Sequence, residues 1–126
     1  MSANQWNILV VEDDADGQMV MATLLEHLNI TVDIAANAAE AEQFLFQSGT
    51  DYDAAIIDLA LPDKDGWQIL AEIQEDSRTM NLPCIAATAY HTSKLREDAI
   101  LAGFKAYFPK PIDGTKFLRE LESLLS

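Results

Sequence analysis

Short apolar runs alternate strictly with segments of helical period along this chain, and few architectures accept such an order. The runs cover residues 8–11, 31–35, 54–57, 85–87 and 107–109, each of a length and composition that suits a buried strand. Between and after them, apolar side chains recur at the spacing of one helix face. The sets are Met21, Leu24, Leu25 and Leu28; Ala38, Ala41 and Leu45; Gly66, Leu70 and Ile73; Leu95, Ala99 and Ala102; and Leu118, Leu121 and Leu125. Five helices are therefore expected. Asp14 or Asp16, Asn37, Asp65, Thr92 or Ser93, and Asp113 can cap their first turns, and Gly103 is a natural stop. Five βα units in succession imply an α/β domain, a parallel sheet with helices on both faces.

Proline placement narrows the topology. Pro109 removes a ladder donor from the last strand, which a sheet tolerates at its edge. In the flavodoxin-like doubly wound order 2-1-3-4-5 the fifth strand is an edge, and strands 1 and 3 flank the switch point where ligands bind. That order brings the carboxyl ends of four runs together: Glu12 and Asp13 after the first, Asp58 after the third, Thr88 after the fourth and Lys110 after the fifth.

Size and charge set further bounds. The 126 residues fit one domain, expected to occupy 1–126 without an attached output domain. The lone Cys84 lies in an apolar stretch, where it reads as a small buried hydrophobe in a reducing compartment. No apolar run approaches a membrane span, and the amino terminus lacks the basic flank and apolar core of a leader, so a soluble, cytoplasmic protein is expected. A net charge of −13 argues against nucleic-acid binding. The charge is uneven: residues 1–76 hold 16 of the 21 acidic groups and one basic group, Lys64, whereas residues 77–126 hold seven basic groups against five acidic ones. Either these charges are the solvated faces of ordinary helices, or the carboxyl-terminal part offers a partner a different surface, through Lys94, Arg96, Lys105, Lys116 and Arg119.

Three carboxylates crowded at one sheet edge repel one another, and a hard divalent cation relieves that repulsion. Magnesium suits an open site with few protein carboxylates, water and phosphate oxygens. A lysine, a threonine hydroxyl and free backbone N–H groups nearby suit a phosphoryl group, whose transfer depends on positioning and electrostatics. Asp58 lies centrally and is the natural nucleophile, able to form an acyl phosphate.

Val11-Glu12-Asp13-Asp14, Ile56-Ile57-Asp58-Leu59-Ala60-Leu61-Pro62 followed by Asp65-Gly66, Ala87-Thr88-Ala89 and Lys110-Pro111 occur in that order. Together they resemble the receiver domain of two-component response regulators, of the chemotaxis-regulator kind, from Ile8 to Leu125. The resemblance implies a phosphorylation-activated switch. Asp58 would accept a phosphoryl group from a sensor histidine kinase, a histidine phosphotransfer protein or a small donor such as acetyl phosphate. Asp13, Asp58 and the backbone carbonyl of Ala60 would ligate magnesium, with manganese able to substitute, and Glu12 would act through water. Thr88 and Lys110 would bind phosphoryl oxygens, Tyr107 would turn inward as Thr88 moves, and the Lys110–Pro111 peptide would be cis. Output would pass through the surface of helix 4, strand 5 and helix 5 to an unnamed protein target, with a homodimer as a further form of the phosphorylated chain.

Several positions depart from the pattern. Glu12 stands where an aspartate is common, Ala60 has no polar side chain to orient water, and Tyr90 is bulky, so a long-lived phosphoryl group is expected. An aspartyl-phosphate phosphatase of the haloacid dehalogenase kind is one alternative, but it normally has a second aspartate where Ala60 stands. Flavodoxin is another, but no Ser/Thr/Gly-rich loop follows the first strand. A receiver-like docking module that is not phosphorylated would have less use for Asp58, Thr88 and Lys110. Slow self-dephosphorylation is expected rather than enzymatic turnover of an external substrate. His27 and His91 read as solvent-facing, with no clustered Cys or His for zinc.

Overall fold

The computed structural model describes residues 6–126, so the first five positions of the amino terminus read above for a leader lie outside the described residues. Its elements run β1 (Asn7–Val11), α1 (Ala15–Glu26), β2 (Thr31–Ala35), α2 (Ala38–Phe46), β3 (Ala54–Asp58), α3 (Gly66–Glu75), β4 (Cys84–Thr88), α4 (Ser93–Ala102), β5 (Ala106–Pro109) and α5 (Gly114–Leu125). All strand pairs are parallel and the sheet order is β2-β1-β3-β4-β5. Pro109 falls on edge strand β5, opposite Thr88 of β4, as the missing N–H requires.

Strand alternation divides the core in two. Leu9, Val11, Ala55, Ile57, Ala86 and Tyr107 face α2, α3 and α4. Ile8, Val10, Ile56, Ile85 and Phe108 face α1 and α5. The period-2 geometry of extended backbone sends neighbouring residues to opposite layers, and burial on both faces explains why these strands read as unbroken apolar runs.

Local chemistry sets the helix starts. Asp14, Asn37, Asp65, Thr92 and Asp113 each accept a backbone N–H of the first turn, and Asp65 with Gln68 completes a capping box. Gly103 ends α4 with a φ of 123°, a region that disfavours residues with a Cβ. The structure shifts some expected faces. In α5 the buried pair is Phe117 and Leu121, with Leu118 and Leu125 only partly covered, because the ring of Phe117 meets Phe108 edge-on at 5.0 Å. Leu28 lies past the end of α1, and Ala102 is exposed.

Cys84 opens β4 with its side chain buried, and burial pushes its thiol up to about 12. Because the thiolate is the reactive form, the native protein should resist alkylation at neutral pH and label only after denaturant is added. Mass spectrometry checks this; labelling of the folded chain at the rate of a free thiol would contradict it. Among the described residues, no helix is long and apolar enough to cross a membrane.

Candidate functional site

The site lies outside the carboxyl ends of β1, β3, β4 and β5, at the β1/β3 switch point. At the end of β1, Glu12 turns inward and is only 3 % exposed, while Asp13 faces solvent. Three contacts fix this turn. Glu12 N–H donates to Ala35 O at 2.9 Å, its carbonyl accepts from Gln18 Nε2 at 2.7 Å, and its carboxylate accepts from Asp14 N–H at 3.2 Å. The first turn of α1 lies directly against the carboxylate: a Cβ on Gly17 would sit 2.7 Å from Glu12 Cδ. Gly17 therefore belongs to the site's construction, although no pattern in the sequence marks it.

Asp58 ends β3 and is 6 % exposed. Its Oδ1 accepts from Ala60 N–H at 2.9 Å, and its Oδ2 accepts from Lys110 Nζ at 2.9 Å. The loop that follows is held by α3. Gly66 N–H donates to Leu59 O at 3.0 Å, and a Cβ at Gly66 would meet Asp58 O at 2.6 Å, so only glycine lets the helix start this close. Further out, the Asp63 carboxylate accepts from Ala38 N–H and Ala39 N–H at 2.9 and 3.0 Å, capping α2, and these bonds hold the Asp63 carboxyl below its ordinary value. Lys64 bridges Glu42 and Glu72, tying α2 to α3 through the same loop.

Lys110 follows β5 and its ammonium contacts both Glu12 and Asp58. The Lys110–Pro111 peptide is cis, as expected. Burial pushes the Glu12 carboxyl above its ordinary value against the opposing pull of Lys110. Burial also works to lower the Lys110 ammonium, but its bonds to Asp58 and Glu12 prevail and leave it raised. Carboxylate oxygens of Glu12, Asp13 and Asp58 all lie within 4.8 Å of one another. Three carboxylates against one ammonium leave excess negative charge, and the hard oxygen donors suit a divalent cation such as magnesium.

Thr88, 1 % exposed, stands at the end of β4 with its hydroxyl turned to its own loop, accepting Tyr90 N–H at 3.1 Å. Tyr107 lies two residues before Pro109 on the α4 side of the sheet, outside the carboxylate cluster and already buried. His91 is exposed as expected, yet its Nδ1 lies 3.0 Å from the Tyr107 hydroxyl. That contact joins a loop residue to an adjacent strand and leaves no periodic trace in the sequence.

A doubly wound sheet that gathers hard oxygen donors and an ammonium outside β1, β3 and β5 defines a class of α/β domains suited to a divalent cation and an anion. Within that class, the chain belongs to the response regulator receiver domain family, whose model matches residues 8–122. It is 34 % identical over 115 residues to a 14.6 kDa protein encoded in the sodA1 3' region of Leptolyngbya boryana, covering 91 % of this chain and 86 % of that protein. It is 32 % identical over 121 residues to response regulator Rre1 of Synechocystis, covering 94 % of this chain and 51 % of the relative. Other relatives are matched over smaller shares, down to 6 % of their length. Among solved structures, the receiver domain of the Pseudomonas aeruginosa sensor histidine kinase PA1611, with magnesium coordinated in its active-site cleft, aligns with a TM-score of 0.85 at 30 % identity, covering 96 % of this chain and 98 % of that one. The chain is accordingly a phosphorylation-dependent switch of two-component signalling, a family of signalling domains rather than of turnover enzymes.

Proposed function

We propose that Asp58 is the phosphoacceptor of this switch and that the reaction depends on magnesium held by Asp13, Asp58 and the carbonyl of Ala60, with Glu12 acting through water and manganese able to substitute. The observation that carries this reading is the position of Asp58: a buried carboxylate at the switch point, sharing a cluster with Glu12 and Asp13 and bonded to Lys110. A carboxylate oxygen of Asp58 attacks phosphorus, and the P–N bond to a donor histidine breaks with its electron pair leaving on nitrogen. With acetyl phosphate, the P–O bond breaks and acetate leaves. Bound magnesium would neutralise phosphoryl charge. Lys110 then exchanges a carboxylate partner for a phosphoryl oxygen, and the Thr88 hydroxyl leaves Tyr90 N–H to donate to another. Tyr107 reads that movement on the neighbouring strand.

The donor is a sensor histidine kinase or a histidine phosphotransfer protein, and the setting is cytoplasmic. Output passes through the α4-β5-α5 surface, where Ile100 and Leu101 are exposed beside Arg96 and Lys105, to a protein target or a second copy of the chain. Residues 1–126 act as one receiver unit, with slow self-dephosphorylation in place of turnover. Incubation with acetyl phosphate and magnesium should add one phosphoryl group by intact mass, and none to Asp58→Asn or without the metal. Equal addition to Asp58→Asn, or none to the wild type from acetyl phosphate or a panel of kinases, overturns the assignment. Release of inorganic phosphate from external monoesters would favour the phosphatase alternative instead.

A further inference from the structure

The loop between β4 and α4 spans only residues 89–92, and each of its polar contacts has a direction. Tyr90 N–H donates to Thr88 Oγ1 at 3.1 Å, which ties the start of the loop to the threonine hydroxyl. The Thr92 side chain is committed to capping α4, accepting Leu95 N–H at 3.0 Å, and the Tyr90 ring is 74 % exposed. That leaves the imidazole of His91, which reaches across to Tyr107 on β5 with Nδ1 3.0 Å from the hydroxyl oxygen.

Tyr107 is 2 % exposed, so its hydroxyl needs a partner inside the protein. Burial pushes the phenol above its ordinary value, against the pull of the Arg96 guanidinium. The phenol O–H can donate to Nδ1 of a neutral His91 whose own proton is on Nε2. The two rings stand 5.5 Å apart, and the Arg96 guanidinium lies 5.6 Å from the Tyr107 ring centre on the α4 side. His91 and Arg96 thus flank the polar end and the face of one buried tyrosine.

We propose that His91 is a positioning residue that ties Tyr107 to the β4–α4 loop, so that a phosphoryl group at Asp58 moves the tyrosine through this hydrogen bond. The inference rests on the roles assigned to Asp58 and Thr88 above. When the Thr88 hydroxyl turns to a phosphoryl oxygen, Tyr90 N–H loses its acceptor and its peptide must find another. Only Ala89 and Tyr90 separate Thr88 from His91, and α4 begins at Ser93, so the loop has little slack in which to absorb that change. The next side chain with a bond outside the loop is His91, and the group it holds is Tyr107.

Fluorine NMR of protein labelled with fluorotyrosine tests the tie. The chain has three tyrosines, and Tyr107→Phe assigns the relevant signal. Beryllofluoride with magnesium stands in for the phosphoryl group, and a soluble paramagnetic agent reports exposure. The wild-type Tyr107 signal should be protected and should shift when beryllofluoride is added. In His91→Ala, broadening by the agent should rise about fivefold, as expected for loss of one neutral hydrogen bond, and the beryllofluoride shift should shrink. Phosphoryl addition from acetyl phosphate should stay within about twofold of wild type, since His91 is an exposed residue away from the carboxylates. His91→Asn places Oδ1 near the position of Nδ1 and should restore both tyrosine readouts. The proposal is overturned if Tyr107 in His91→Ala is as protected and as responsive as in wild type, or if His91→Asn behaves like His91→Ala. Failure of the wild type to accept a phosphoryl group overturns the Asp58 reading and the transmission built on it, whereas tyrosine protection reports the tie itself.

Discussion

Replacing Lys110 with alanine should destabilise the magnesium-free protein by about 3 kcal/mol, at the low end of what loss of one partner from a buried ion pair costs. The ammonium contacts both Glu12 and Asp58, carboxylates that are 3 % and 6 % exposed. Its removal leaves two adjacent buried anions without a counterion. The low end applies because the crevice opens to solvent at Asp13 and the Lys110 side chain is itself 22 % exposed. Urea denaturation in a metal chelator measures the loss, and a variant as stable as wild type would refute the argument. Glu12→Gln in the Lys110→Ala background should recover part of the stability, since it removes one of the stranded charges.

The same variant should respond to pH and to metal in ways wild type does not. Burial already raises the Glu12 carboxyl above 4.5, and without Lys110 the opposing pull is gone. A carboxyl raised in the folded state binds a proton more readily there than in the unfolded chain. The penalty is therefore absent below the unfolded value and grows as pH rises through the folded one. Magnesium replaces the lost positive charge, so Lys110→Ala should bind it more tightly than wild type and gain more stability at the same magnesium concentration, about 2.7 kcal/mol in all where magnesium is at a hundredfold excess over the variant's dissociation constant. Equal stabilisation of the two proteins would show that cation and ammonium do not share the carboxylates.

How much of this was legible beforehand follows from the range of each interaction. The strands could be read because β3 and β4 are buried at every position and so appear as unbroken apolar runs. Their order could be read because Pro109 restricts β5 to an edge, and the site then followed from topology, with Glu12, Asp13 and Asp58 meeting at the switch point. Contacts between single residues distant in sequence left no periodic signal. Asp63 caps a helix that begins 25 positions earlier, and Lys64 of the β3–α3 loop pairs with Glu42 of α2. Nothing along the chain announces either. Gly17 and Gly66 matter because of what a Cβ would strike, which only the folded backbone defines. For α5, the leucine spacing suggested a stripe through Leu118 and Leu125, whereas the ring of Phe108 selected Phe117 as its centre. His91 offered a fainter clue. It is a polar residue in a short loop, with Tyr107 on the next strand opposite Ala86.

The phosphoryl group on Asp58 should persist in wild type, and the Ala60→Asn, Tyr90→Glu double variant should shed it about tenfold faster. Hydrolysis needs a water in line with the Asp–O–P bond, held by a polar group that can orient it or take its proton. Neither flanking position provides one. The Ala60 side chain is a methyl group next to the backbone N–H that holds Asp58 Oδ1, and Tyr90 is an exposed ring two residues after Thr88. An amide at the first position and a carboxylate at the second supply a donor and an acceptor for the attacking water at sites already exposed to solvent, so neither substitution disturbs the core. About tenfold is well below what a fully aligned general base contributes, because side chains placed on two loops hold water only part of the time. Loss of the phosphorylated species, followed by intact mass after removal of acetyl phosphate, gives the rate for each protein. A double variant no faster than wild type would mean that the lifetime is set by access of water to the crevice, walled by Lys110 and the first turn of α1, and not by its orientation at these two positions.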